Sequence, residues 1–151
     1  MKTADYQLAP NIEGDSAEDT KLLRSMADEA SSYLSGFSWC PKIKKLYLAF
    51  GIGGVVGLYL AELEDKIDDQ DDFLWVVVGD LPTAYLVADS TTPREALETY
   101  CSLMGEWADA VESGRSLEDV FPVAAKPTRE NASILRKRLS FLKDNVLPSL
   151  A

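Results

Sequence analysis

The stretch from Lys45 to Asp89, KLYLAFGIGGVVGLYLAELEDKIDDQDDFLWVVVGDLPTAYLVAD, constrains the fold of this chain more than any other. It is rich in Val, Leu, Tyr and Phe, which suit a pleated, half-buried surface. Glycine clusters and a Gly-Asp-Leu-Pro break cut it into short runs. It therefore reads as two successive β-hairpins with an acidic loop between them. The first pair is expected over 45–50 and 55–63, with Gly51-Ile52-Gly53-Gly54 supplying the turn. The second is expected over 73–79 and 83–89, turning at Gly79-Asp80-Leu81-Pro82. Pro82 has no N–H to give a ladder and belongs at the strand's start. Alternation puts Leu46, Leu48 and Phe50 on one face and Tyr47 and Ala49 on the other. Phe73, Trp75 and Val77 likewise oppose Leu74, Val76 and Val78. Strands apolar on both sides need cover on both sides.

Three competing readings of this stretch fail on spacing. Leu46 to Ala61 is 16 residues without a charge, after Lys42, Lys44 and Lys45. A membrane-spanning helix needs about 20 apolar residues, and Gly51, Gly53, Gly54 and Gly57 interrupt this run. A dinucleotide loop needs G-x-G-x-x-G before a helix. Counting from Gly51, Val56 stands where the third glycine should be, and a strand follows. The acidic run Glu62, Glu64, Asp65, Asp68, Asp69, Asp71, Asp72 offers oxygen ligands but lacks the EF-hand pattern of glycine at six and glutamate at twelve. It reads as a solvated loop that can double as a partner-binding patch. No membrane association, cofactor or metal is expected.

Helices flank the hairpins. One is expected over 17–35, capped by Ser16, with Leu22, Leu23, Met26, Ala30, Tyr33, Leu34 and Phe37 as its apolar stripe and Gly36 beyond its end. A second, over 93–113, has Thr92 as cap, Pro93 at the first position, Glu95 completing a T-x-x-E box and Gly114 as terminator. A third, over 129–146, is capped by Thr128, closed by Pro148 and striped by Leu135, Leu139, Leu142 and Val146. Residues 1–14, with Pro10, Asn11 and Gly14, read as a flexible arm with no secretory or transit pattern. Residues 15–151 read as one domain. The fold class is α+β: an N-terminal helix, a four-stranded, mainly antiparallel sheet from two hairpins, and two C-terminal helices. Three helices are few for two apolar faces, so a homodimer is one expectation.

Charge and missing residue types narrow the function. The net charge is −10, so phosphate would repel the chain and no nucleic-acid partner is expected. Lys126, Arg129, Arg136, Lys137, Arg138 and Lys143 face only Glu130 and Asp144 in residues 126–151, a local +4 against −14 for residues 1–125. There is no histidine, which removes Ser-His-Asp and Cys-His catalysis and histidine metal sites. Cys40 and Cys101 have no C-x-x-C spacing and form no disulfide framework. Trp39, beside Cys40 and Pro41, reads as a buried anchor.

Asp80 is the most pointed candidate. It sits in a turn between apolar strands, near Trp75 and Tyr85 in sequence. A carboxylate at the edge of an aromatic surface suits binding, although a turn-forming aspartate bonds its own backbone as well. The expected partner-binding set is thus Asp80, Trp75 and Tyr85 with Asp68, Asp69, Asp71 and Asp72. No catalytic residue is assigned. The strings WCPKIKKLY, FLWVVVGDLPTAYL and EDVFPV resemble those of small uncharacterised bacterial proteins, over Trp39 to Val123 and most of the last helix. That resemblance implies a bacterial cytoplasmic protein and carries no activity. The leading expectation is a soluble, non-enzymatic binding or regulatory protein meeting a protein partner, with immunity and antitoxin proteins as class-level analogues. The alternative is a small enzyme using carboxylates such as Asp80 and Glu62 without histidine or metal.

Overall fold

The computed structural model describes residues 3–65, 72–88 and 92–150. The fold is α+β, and the chain divides into two compact units, Met1–Thr91 and Thr92–Ala151. The first is an antiparallel sheet in the order β1 (Gln7–Leu8), β2 (Ile43–Ile52), β3 (Val56–Leu63), β4 (Phe73–Gly79), β5 (Ala84–Val87), with α1 (Ala17–Ser35) packed on one face. Both expected hairpins form, and β3 joins them by pairing with β4 from Val56↔Gly79 to Glu62↔Phe73. The first hairpin turns later than its glycines suggest. Gly51 and Ile52 stay in the ladder opposite Gly57 and Val56, and the Val55 N–H closes the turn on the Ile52 carbonyl at 2.9 Å.

Two expectations are corrected. The segment read as an arm without regular structure contains β1, which gives the sheet its fifth strand by pairing Gln7 with Leu48 and Leu8 with Tyr47. It is held by side chains that close on backbone. The Gln7 amide accepts from the Glu13 N–H at 2.8 Å, and the Arg24 Nε donates to the Ile12 carbonyl at 3.0 Å. Ile12 is fully buried. The second correction is Phe50. Leu48 pairs with Tyr59 but Phe50 pairs with Leu58, so Ala49 is an extra residue in β2. That bulge inverts the alternation and sends Phe50 to the face opposite Leu46 and Leu48.

Local chemistry explains α1. The Ser16 side chain accepts from the Asp19 N–H, and Glu18 and Asp19 sit at the positive helix end. The Asp19 carboxylate also accepts from the Gly53 N–H at 2.8 Å, which ties the helix start to the β2–β3 turn. Leu23, Met26, Ala27, Ala30 and Leu34 form one core with Leu46, Leu48, Tyr59, Ala61, Leu74, Val76 and Val78. Each fully buried leucine there contributes about 1.5–3 kcal/mol. The Tyr59 hydroxyl satisfies itself by donating to the Leu23 carbonyl at 2.6 Å. On the other face Leu58, Leu60, Trp75 and Val77 are buried as well.

The second unit is a pair of helices, α2 (Pro93–Ser113) and α3 (Arg129–Phe141). The Thr92–Glu95 capping box forms in both directions, and Gly114 ends α2 in the left-handed conformation at φ 67°. Thr128 caps α3 by accepting from the Asn131 N–H. The Arg136 guanidinium on α3 pairs with both Asp109 and Glu112 of α2. The helix expected through Val146 is α-helical only to Phe141, then widens into a π turn over Leu142–Val146. There the Leu147 N–H reaches back to the Leu142 carbonyl. Pro148 follows with no N–H to continue the ladder.

Buried tyrosines set an alkaline limit. Burial first, then nearby carboxylates, pushes the Tyr59 phenol well above its ordinary 10.0. Burial does the same to Tyr100. Below the ordinary value both phenols are neutral in both states, so their contribution is constant. Above it the unfolded chain ionises while the folded chain does not, and stability falls. The expected slope is about 1.4 kcal/mol per pH unit for each of the two tyrosines. Urea unfolding at stepped alkaline pH measures it, and a flat profile two units above the onset would contradict it.

Candidate partner-binding surface

Past Gly36 the chain folds back on itself. The Phe37 N–H donates to the Leu34 carbonyl at 3.1 Å and the Cys40 N–H to the Phe37 carbonyl at 3.2 Å. This compact turn carries Phe37 and Trp39 to Tyr85 of β5. The three rings pack on one another, with centroids 5.4 Å apart for Phe37–Trp39 and Phe37–Tyr85 and 5.1 Å for Trp39–Tyr85. Tyr33 joins edge-on to Phe37 at 5.1 Å. Burial, then the adjacent Tyr85, raises the Tyr33 phenol above its ordinary value. Burial likewise raises the Cys40 thiol.

The cluster is not sealed. Trp39 is 43% exposed and Val87 49%, which corrects the expectation of Trp39 as a buried anchor. The tryptophan lies beyond the helix end, against a strand that is the edge of the sheet. No Asp, Glu, Lys or Arg occurs from Ala30 to Pro41 or from Leu81 to Ala88. Two large apolar side chains are thus exposed on segments that carry no charge, in a chain of net charge −10.

The residues singled out from sequence do not converge. Val76 pairs with Tyr85 while Trp75 pairs with Leu86, so Trp75 and Tyr85 lie on opposite faces. Trp75 is fully buried, with the Tyr6 ring edge-on at 6.2 Å. Asp80 is exposed at the β4–β5 turn, where its N–H donates to the Val55 carbonyl at 2.9 Å. It borders an open groove of 330 Å³ with Leu22, Met26 and Glu29. Glu62 is at the other end of β3, six extended residues or about 20 Å from the Val56–Gly79 pair. There it is 3.5 Å from the Lys44 ammonium. Asp72 is half-buried, and its carbonyl accepts from the Leu63 N–H at 2.7 Å. Asp68, Asp69 and Asp71 lie outside the described residues.

Sequence reasoning missed Phe37 and Trp39 as site residues. The available signal was aromatics at 33, 37 and 39 inside an uncharged run. Within the second unit, Glu98, Cys101, Ser102, Lys143 and Leu147 line a cavity of 390 Å³. Burial pushes the Cys101 thiol up to about 11 despite the Lys143 ammonium, so near neutral pH it is not a nucleophile. Among the described residues no group of three or more Cys, Asp or Glu side chains is arranged to hold a metal ion, and no helix is long and apolar enough to cross a membrane. No protein-family model matches this chain, and neither a curated protein nor a solved structure matches it.

Proposed function

We propose that this chain is a non-enzymatic binding protein that meets a protein partner through the aromatic surface of its first unit. The observation that carries the reading is the Phe37–Trp39–Tyr85 cluster, left open at Trp39 and Val87 on an uncharged part of an acidic chain. Tryptophan and tyrosine are the residues that most often dominate interface energies, because they bury large area at low entropic cost. The two free cysteines agree with a reducing, cytoplasmic setting.

The test is photo-crosslinking in cells of the protein's source. A benzoylphenylalanine in place of Val87 is expected to give a covalent protein adduct. The same residue in place of Ile134, which is 43% exposed in the second unit, serves as control and gives none. No adduct from position 87, or equal adducts from both positions, would count against a partner at this surface.

A further inference from the structure

We propose that the partner presents a basic segment, whose lysine or arginine enters the groove between α1 and Asp80 while an apolar residue beside it covers Trp39 and Val87. This rests on the partner-binding reading above and gives the partner its chemistry. Leu22, Ser25, Met26 and Glu29 of α1 line one side of that groove, and Gly79 and Asp80 line the other, around a volume of 330 Å³. Met26 is buried and Leu22 half-buried, so the floor is apolar. Ser25, Glu29 and Asp80 are exposed at the rim. A floor and rim of that kind match a long amphipathic cation, with its methylene stem on the leucine and methionine and its charged head between the carboxylates. Among the described residues no Lys or Arg forms an ion pair with Glu29.

The groove is continuous with the aromatic surface. Leu22, Met26, Glu29 and Tyr33 recur at steps of four, three and four residues and make one row along α1. Tyr33 ends the row against Phe37 and Tyr85, at centroid distances of 5.1 and 6.3 Å. From Met26 to Tyr33 is seven helical residues, or about 10 Å. On the sheet side Asp80 stands four residues beyond Val76, the ladder partner of Tyr85, or about 13 Å. About four residues of extended chain therefore join the acidic end to the aromatic end.

Charge selects the occupant. The first unit, Met1–Thr91, holds 16 Asp and Glu against 7 Lys and Arg, so it carries −9 of the chain's −10. Its field draws cationic partners and repels acidic ones, a second copy of this chain included. A free polyamine meets the carboxylates and leaves Trp39 and Val87 uncovered. A peptide segment with a cation and an apolar side chain about four residues apart satisfies both ends at once.

The full chain is titrated with two short synthetic peptides, identical except that arginine in one is glutamate in the other, about four residues before a leucine. The arginine peptide is expected to shift the amide resonances of Ser25, Gly54 and Tyr85, and its affinity should fall as salt rises. The glutamate peptide should leave them in place. Glu29→Gln should weaken the arginine peptide about threefold, and Ser25→Arg, which seats a cation in the groove beforehand, about tenfold. In cells, benzoylphenylalanine in place of Ser25 should trap the same protein as in place of Val87. Equal responses to the two peptides, including none, overturn the proposal, as does binding of the arginine peptide that neither variant weakens. If position 87 traps a protein while position 25 traps none and Glu29→Gln leaves the yield at 87 unchanged, the basic occupant is wrong and the partner-binding reading stands. If position 87 traps nothing, both fall.

Discussion

Gly79→Ala is expected to lower the stability of the first unit by about 3–5 kcal/mol, although it adds one methyl group and removes no contact. Gly79 has φ +135°, where a side chain is strained before any neighbour is considered. An added Cβ would lie 2.3 Å from the Val55 carbonyl oxygen and 2.9 Å from the Val55 carbonyl carbon and the Val56 Cα. All three are backbone atoms, so no rotamer change relieves the clash. That same carbonyl accepts the Asp80 N–H, and Val56 is the ladder partner of Gly79. Relief therefore means opening the end of the β3–β4 ladder together with the turn that carries Asp80. Gly105 is the internal control, since a Cβ there meets nothing within 4 Å. It lies inside α2, so Gly105→Ala should instead gain about 0.5–1 kcal/mol. Urea unfolding followed by circular dichroism reads both. A Gly79→Ala cost below about 1 kcal/mol would mean that the turn adapts and that its geometry is not demanding.

What could be read from sequence divides by range. The caps at Ser16, Thr92 and Thr128 and the Gly114 stop act within four residues, so their chemistry is complete in the local string, and each forms as expected. The alternation in β4 is also local, and Leu74, Val76 and Val78 join the α1 core together. Phe50 failed because a bulge is a property of two strands. Only the count against β3 shows that Ala49 is extra. β1 failed because two residues make a strand only where another strand offers an edge. The end of α3 failed because the widening depends on where the ladder runs out of donors.

The site was less legible than the fold, for the same reason. Asp80, Trp75 and Tyr85 lie close in sequence, and proximity suggested one surface. Faces in a hairpin depend on register, and here the register gives Tyr85 to the α1 side and Trp75 to the other. The aromatic cluster instead draws on a helix end, a connector and an edge strand. Phe37 and Trp39 read individually as core residues, and only the turn after Gly36 brings them to Tyr85.

The two tryptophans of the first unit should therefore separate stability from binding. Trp75→Ala is expected to cost about 3–5 kcal/mol and to leave crosslinking from position 87 unchanged wherever the protein is still folded. Trp75 is 0% exposed in β4, with Leu60 of β3 on one side and Leu86 of β5 on the other. A strand held by ladders on both sides cannot collapse into the space an indole leaves, so the cavity persists. The edge-on contact with Tyr6 at 6.2 Å is lost as well, and with it a restraint on the segment leading into β1. Such a pair contributes about 0.5–1.5 kcal/mol beyond area burial. Trp39→Ala should act mainly on binding. At 43% exposure it is only partly buried, and its loss removes the contacts with Phe37 and Tyr85, so stability falls by about 1–2 kcal/mol, less than for Trp75→Ala, while adducts from position 87 fall. Urea midpoints and crosslinking yields, measured on the same two variants, form the test. If Trp75→Ala abolished the adduct while its urea midpoint held, the binding surface would lie on the opposite face of the sheet, and the assignment to Phe37, Trp39 and Tyr85 would be wrong.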